Sequence, residues 1–515
     1  MAEKDPKAGE TASEPDEAAN GSEPGRRGRQ AVIVIHGMGE QRPMDTLRGF
    51  VRAVWERDPS LVPDRPEDDR ETQVWSKPDA PGESFELRRL TTRTSKPPAE
   101  GEPGMRTDFY EFYWAHLMSG TAWEHFSEWV WGLLFRRWSQ VPPDVRHAWL
   151  LLWVVAIIVA VFAFLTVIPD NAIFWQWPVL RWVAALPKWA TGAITVLSGI
   201  AVHKFLLPYF GDVARYVTAT PHNIARRNAI RLAGVKMLEA VNDPDRYDRV
   251  VVFAHSLGTL VAYDILSIFW ARHNRRHEAL ARKPKQPALK RLSEMAVAAY
   301  KGEPPDLETY RATQRELFDE LRELGNPWLV TDFVTVGSPL THAEFLLAKD
   351  HAELDLKIEQ RELPTSPPYP ELDNAGRRAI AYLPNRPFTG SVAMRTLHHA
   401  APFGPTRWTN IYDPHRLVLL GDIISGPCAR EFGPGVKDVP VRIEGRRGRL
   451  FTHTEYWWWD DERHKLEDPP GHIRALREAL NLLDMRDRPA RAETRKGKKA
   501  ETAPRLELRR DRAQN

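Results

Sequence analysis

The chain has 515 residues, more than one minimal domain holds, because a single core stops growing at about 250 to 300 residues. Its 72 Lys and Arg against 69 Asp and Glu leave a net charge of +3, which supplies no global field for nucleic acid. The lone cysteine, Cys428, excludes an internal disulfide, a Cys-rich zinc site and an iron-sulfur cluster, and points to a reducing compartment.

Residues 1–30 are rich in Glu, Asp, Pro, Gly and Ser and nearly devoid of large apolar side chains, so they are expected to form a disordered tail. They show no basic start followed by an apolar run, the mark of a cleavable secretory signal. From there short β-branched runs alternate with helical patterns, which predicts an α/β sheet. The predicted strands are Ala31 to Ile35, Phe85 to Thr92, Thr107 to Trp114, Arg249 to Ala254, Asp332 to Val336, Arg407 to Tyr412 and Arg449 to Thr452. Predicted helices cover Met44 to Trp55, Pro221 to Val241, Leu257 to Trp270 and Ile473 to Leu483. The charged stretch 272–325 reads as a helical insertion covering one end of the sheet, and the proline-rich pieces at 61–82, 95–104 and 363–388 read as surface loops. The last segment, 486–515, carries 11 basic and 5 acidic residues and reads as a second disordered tail, its basic charge suited to anionic lipid heads.

Between residues 121 and 214 the composition changes. Ala148 to Ile168 is 21 residues long without a charge, and a bilayer needs about 20 apolar residues to be crossed. A weaker second stretch, 189–210, contains His203 and Lys204, the latter near enough to its end to snorkel. Ten of the 19 tryptophans lie between Trp123 and Trp189, as an interfacial belt would place them. If the strands before residue 120 and after residue 249 belong to one sheet, the number of crossings must be even, so two spans or none are expected. Arg136, Arg137 and Arg146 before the hairpin and Arg215, Arg226, Arg227 and Arg231 after it outnumber Arg181 and Lys188 between, which places the globular part and both termini on the cytoplasmic side.

Arg249 to Gly258 reads RVVVFAHSLG: a buried-strand run, then His255, Ser256, Leu257 and Gly258, then an apolar helix. A serine on so sharp a strand-to-helix turn needs small neighbours, and the helix N-terminus behind it favours developing negative charge. Ala254 stands where this nucleophile elbow usually has its first glycine. Upstream, Ala31 to Gly39 reads AVIVIHGMG, an apolar strand followed by a glycine turn whose freed N–H groups can face a site. Oxyanion donors are therefore assigned to the N–H groups of Met38 and Leu257. His36, Gly37, Gly39 and Gly258 form the supporting turns, with His36 orienting its loop.

Together HGMG, AHSLG, the strand VTDFVTVGSPL and the late His453 make residues 30–120 and 215–485 resemble the α/β-hydrolase superfamily, in particular its lipase- and esterase-like serine hydrolases. That resemblance implies a mostly parallel sheet flanked by helices, with a hydrolase domain in two parts, 31–120 and 215–485. It also implies a triad in the order serine, acid, histidine, with the serine forming an acyl-enzyme. Ser256 is the nucleophile and His453, 31 residues beyond Asp422 at the end of the strand-like GRLFTHTEYW, the base. For the acid, Asp422 in LLGDIISGP fits the family's loop better than Asp413, which stands ahead of Pro414. The expected substrate is a lipid or another acyl ester, cleaved by a membrane-anchored enzyme. The alternative is a catalytically inactive hydrolase scaffold serving as a membrane-bound binding module. No nucleotide or metal motif is visible, so no cofactor and no metal are expected, and the basic tail reads as solvated rather than as a nucleic-acid site.

Overall fold

A computed structural model describes residues 28–37, 42–62, 73–78, 87–98, 103–118, 146–167, 188–201, 221–275, 285–373, 375–383, 394–415 and 420–485, with single positions at 135, 138, 141 and 216. Residues 1–27 and 486–515 of the expected tails lie outside the described residues, as do Met38 and Gly39, but Gly28–Gln30, expected in the first tail, pair with Met105–Thr107 and open the first strand instead.

Eight strands form one sheet: β1 (Gly28–Ile35), β2 (Val74–Lys77), β3 (Arg89–Thr94), β4 (Met105–Phe112), β5 (Arg249–His255), β6 (Val330–Val336), β7 (Arg407–Tyr412) and β8 (Lys437–Pro440). Their spatial order is β8-β7-β6-β5-β1-β4-β3-β2, parallel from β8 to β4, with the antiparallel steps confined to β3 and β2 at one edge. The helices are α1 (Asp45–Val51), continued by a π-helical turn to Glu56, α2 (Arg146–Val167), α3 (Lys188–Ala201), α4 (Pro221–Val241), α5 (Leu257–His273), α6 (Pro287–Tyr300), α7 (Leu307–Glu323), α8 (His351–Glu359) and α9 (Gly471–Leu480).

The strand period of two explains why the core has two halves. Ala31, Ile33 and Ile35 of β1, with Val250, Val252 and Ala254 of β5, face the layer of α4 to α7. Val32 and Val34, with Val251 and Phe253, face α1 and α9. Because both faces are covered, β1 from Ala31 and β5 from Val250 to Ala254 read as unbroken apolar runs rather than alternating ones.

Three expectations need correction. Arg449 to Thr452 is not a strand: the edge position belongs to Lys437–Pro440, and Leu450 makes only an isolated bridge to Leu420. Within the predicted loop 61–82, Val74–Lys77 pairs with β3 instead. The stretch 272–325 does more than cover an end of the sheet. Leu289, Leu292, Leu317 and Leu321 of α6 and α7 enter the core, while the Arg311 guanidinium donates to the Trp408 carbonyl at the start of β7.

Among the described residues no helix is long and apolar enough to cross a membrane. The backbone of α2 is helical for 22 residues, about 33 Å at 1.5 Å per residue, but its side chains at 147, 148, 151, 152, 155 and 165–167 lie outside the description. Of the second expected span, 189–210, the part to Ala201 is helical in α3, and 202–210 lie outside the described residues. The two helices pack against each other.

Candidate active site

In the sheet, the chain leaves β1 for the far edge at β2, returns through β3 to β4 beside β1, and then crosses to β5 on the other side of β1. The crevice at the carboxyl ends of two such strands is where open α/β sheets place their ligands. Ile35 pairs with Ala254 there, so the turns after β1 and β5 stand side by side.

Ser256 occupies the elbow with φ 54° and ψ −133°, a backbone conformation that costs on the order of 1–3 kcal/mol for a residue with a Cβ. Surrounding contacts hold it there: its N–H donates to the Val336 carbonyl of β6 at 3.1 Å, and its carbonyl accepts from the N–H and hydroxyl of Thr259 at 2.9 and 2.7 Å. Its side chain makes no capping hydrogen bond to α5, so the hydroxyl is free of the helix it precedes. Close approach also explains two glycines. A Cβ on Gly258 would lie 2.3 Å from the His36 carbonyl oxygen, and one on Gly37 would lie 2.8 Å from the Ser256 Cβ.

His453 lies in a short 3-10 turn, Thr452–Thr454, rather than at the end of a strand. Its Nε2 stands 2.8 Å from Ser256 Oγ, and its Nδ1 stands 3.0 Å from each carboxylate oxygen of Asp422. All three side chains are buried. With Nδ1–H donating to the carboxylate, Nε2 is left as the acceptor that faces the serine hydroxyl. Burial alone would raise the Asp422 carboxyl, but the neighbouring His453 and the Tyr456 and Ser425 hydroxyls outweigh it and hold the group well below the usual carboxylate range. The Tyr456 hydroxyl donates to Asp422 Oδ2 at 2.7 Å, and the Ile424 N–H donates to Oδ1 at 3.0 Å.

Asp413 is elsewhere engaged. Its carboxylate pairs with Arg449 at 3.0 Å and accepts from the Thr452 hydroxyl at 2.7 Å, which ties the end of β7 to the loop that carries His453. The structure thus places Asp422, and not Asp413, against the imidazole.

His36 is stacked on Trp114, with ring centroids 5.3 Å apart. The Trp114 N–H donates to Nε2 at 3.1 Å, so the proton resides on Nδ1, which donates to the Gly37 carbonyl at 2.7 Å. Burial, more than any neighbour, lowers this imidazole to about 4, and it stays neutral. That is a loop-orienting arrangement. Leu257 is the first residue of α5, so its N–H has no carbonyl of its own helix to bond and is available beside Ser256. The other assigned donor, Met38, lies outside the described residues together with Gly39.

Two contributors had not been singled out in the sequence: Tyr456 and Ser425, whose hydroxyls lie 2.9 Å apart, brace the carboxylate. His255, named in the elbow, also meets the site, its Nε2 lying 2.8 Å from the His453 carbonyl. The signal for Tyr456 was its place three residues after His453, just beyond the same turn. Among the described residues no group of His, Cys, Asp and Glu is placed to hold a metal. Compared with protein-family models, curated protein sequences and solved structures, the chain matches none.

Proposed function

We propose that the protein is a membrane-anchored serine hydrolase of the α/β-hydrolase type that cleaves a carboxylic ester through an acyl-enzyme on Ser256. The observation that carries the reading is the continuous relay of Ser256 Oγ, His453 and Asp422 at 2.8 and 3.0 Å, set on a strained turn between a parallel strand and a helix. A serine that served only to cap α5 would bond that helix, and this one does not.

In this mechanism His453 Nε2 takes the hydroxyl proton as Ser256 Oγ bonds to the carbonyl carbon. The Leu257 N–H stabilises the oxyanion, with Met38 as the second assigned donor. The ester C–O bond breaks as His453 returns the proton to the leaving alcohol. Water then attacks the acyl-enzyme by the same route, releasing the acid and restoring the serine. Asp422 keeps the imidazole in the tautomer that the first step needs.

A lipid or other acyl ester suits the surroundings. Leu450 and Phe451, ahead of Thr452 and His453, are half exposed, and the Phe451 ring lies 6.5 Å from that of His453, an apolar surface next to the triad. The insertion 121–214 leaves after the turn Ala115–Met118, which follows β4, and rejoins ahead of α4, which packs on that turn. Both junctions therefore belong to the serine's end of the sheet. Leu150, Val154, Ile157 and Phe164 of α2 and Val196 and Leu197 of α3 are exposed, an apolar surface that suits a bilayer better than water. The proposed placement is membrane-attached, with the catalytic domain and both termini on the cytoplasmic side.

The test is labelling of washed membranes with a fluorophosphonate, comparing the native protein with Ser256→Ala and His453→Ala, followed by acyl esters of graded chain length. Labelling of the native protein alone is the expected result. A folded native protein that resists the probe would overturn the reading in favour of an inactive scaffold that binds a partner.

A further inference from the structure

A second cleft, of about 520 Å³, lies away from Ser256. Its walls are two short antiparallel pairs, Glu371–Leu372 with Arg378–Ala379 and Ala381–Tyr382 with Thr396–Leu397. The second pair is anchored to the far end of α5: the Trp270 indole N–H donates to the His398 carbonyl, and the Asn274 amide donates to the Leu397 carbonyl. Trp270 is fourteen positions beyond Ser256 on this helix, about 21 Å along its axis.

Four guanidiniums line the cleft: Arg275, Arg361, Arg377 and Arg395. Glu371 pairs with Arg361 and Asp373 pairs with Arg377. Arg275 and Arg395 have no carboxylate partner among the described residues. Arg275 lies over the Tyr382 ring at 5.6 Å, and Arg395 reaches the Ala381 carbonyl at 3.5 Å. Tyr382 lines the cleft beneath Arg275, and its hydroxyl has no hydrogen-bond partner among the described residues.

We infer that this cleft binds a soluble small molecule bearing a diphosphate or similarly multivalent phosphate group, held by Arg275 and Arg395 with Tyr382. The guanidinium fork matches phosphate oxygens two at a time, which a lysine cannot do. The volume lies within the usual range for small-molecule sites, about 300–1,000 Å³, and exceeds what one phosphate would fill. The two ion-paired arginines keep the walls in place while the unpaired ones supply the net positive charge. His399, also in the wall, is lowered by burial and by the approach of Arg361 and Arg275, as a group in a cationic cleft would be. Standing at the opposite end of α5 from the serine, the cleft faces away from the proposed membrane junctions and so takes a soluble ligand rather than a lipid headgroup.

The test is calorimetric titration of the full-length protein in detergent with inorganic pyrophosphate, with sulfate at matched ionic strength as control. Saturable one-to-one binding is expected. It should weaken at least tenfold in Arg275→Gln and in Arg395→Gln, disappear in the double variant, and weaken several-fold in Tyr382→Phe. The double variant should melt with the native protein, since both arginines are exposed. Arg275→Lys with Arg395→Lys, which keeps the charge and removes the fork, should bind no better than the single Gln variants. Absence of saturable binding, equal response to sulfate, or a double Gln variant that binds normally would overturn the inference. So would retention on anionic vesicles that pyrophosphate does not displace and that requires the same arginines, an outcome that would assign the cleft to lipid.

Discussion

The ring of His255 donates from Nε2 to the backbone carbonyl of His453 at 2.8 Å, so the residue before the serine holds the loop that carries the histidine. Burial, ahead of the nearby His453, lowers the His255 imidazole to about 3, and its ring meets Trp457 edge-on at 5.0 Å. It is therefore a neutral, fixed donor. His255→Ala should reduce kcat for a soluble ester on the order of 100-fold by letting the imidazole drift, with KM little changed. His255→Gln, which keeps an N–H near the carbonyl, should recover part of that loss. Equal losses in both variants, tracking their melting temperatures, would reduce His255 to a packing residue.

Asp413 and Asp422 are both buried and both near the His453 loop, but they meet different partners. Asp422→Asn should lower kcat by about 10⁴, because the amide no longer enforces the imidazole tautomer. Asp413→Asn should instead cost stability, on the order of 2 kcal/mol, since it leaves the partly exposed Arg449 without its carboxylate. Its catalytic effect should be far smaller. Urea denaturation alongside ester hydrolysis separates the two, and the reverse pattern would exchange their roles.

The difference between these aspartates shows where the sequence was readable. Strands buried on both faces, such as Arg249–His255, stand out as continuous β-branched runs, and α4 spans the same Pro221–Val241 that its pattern predicts. The elbow was legible because small residues at fixed offsets have a steric cause, seen in the contacts of Gly37 and Gly258. Edge elements were not: Lys437–Pro440 carries Lys, Asp and Pro, tolerable only where one side lacks a partner strand. Loop partners were equally hidden. Tyr456 reaches Asp422, and Arg449 reaches Asp413, through turns whose geometry no periodicity encodes.

Glu111 of β4 gives a pH signature that owes nothing to catalysis. Burial raises its carboxyl to about 7, against a partly compensating bond from the Met44 N–H at 2.6 Å. Between its ordinary value of 4.5 and about 7, the folded protein keeps this proton while the unfolded chain has lost it. Stability therefore falls as pH rises through that window and stays reduced above it, by on the order of 3 kcal/mol at most. Glu111→Gln retains an acceptor for Met44 and removes the penalty. Urea midpoints of variant and native protein should nearly coincide at pH 4.5 and separate by pH 8, with the variant the more stable. Curves that run parallel from pH 4 to 8 would place the titration elsewhere.

Anchoring and catalysis should be separable by surgery on the chain. Because α4 packs on the turn Ala115–Met118, a flexible linker of about ten residues, with a root-mean-square span of about 17 Å, is a suitable replacement for residues 119–214. Tyr216 should be kept, since its hydroxyl donates to Asp264 of α5 at 2.7 Å. The shortened protein is expected in the soluble fraction, with Ser256 labelled by fluorophosphonate at a rate within a few-fold of the native protein and short-chain soluble esters still hydrolysed. Turnover of an ester presented in vesicles should drop at least tenfold, because the site is no longer delivered to the bilayer. A shortened protein that still sediments with membranes would assign the anchor to another segment, the basic stretch after Met485 being the first to remove. One that is soluble yet unlabelled would mean that the insertion helps to build the site rather than to carry it.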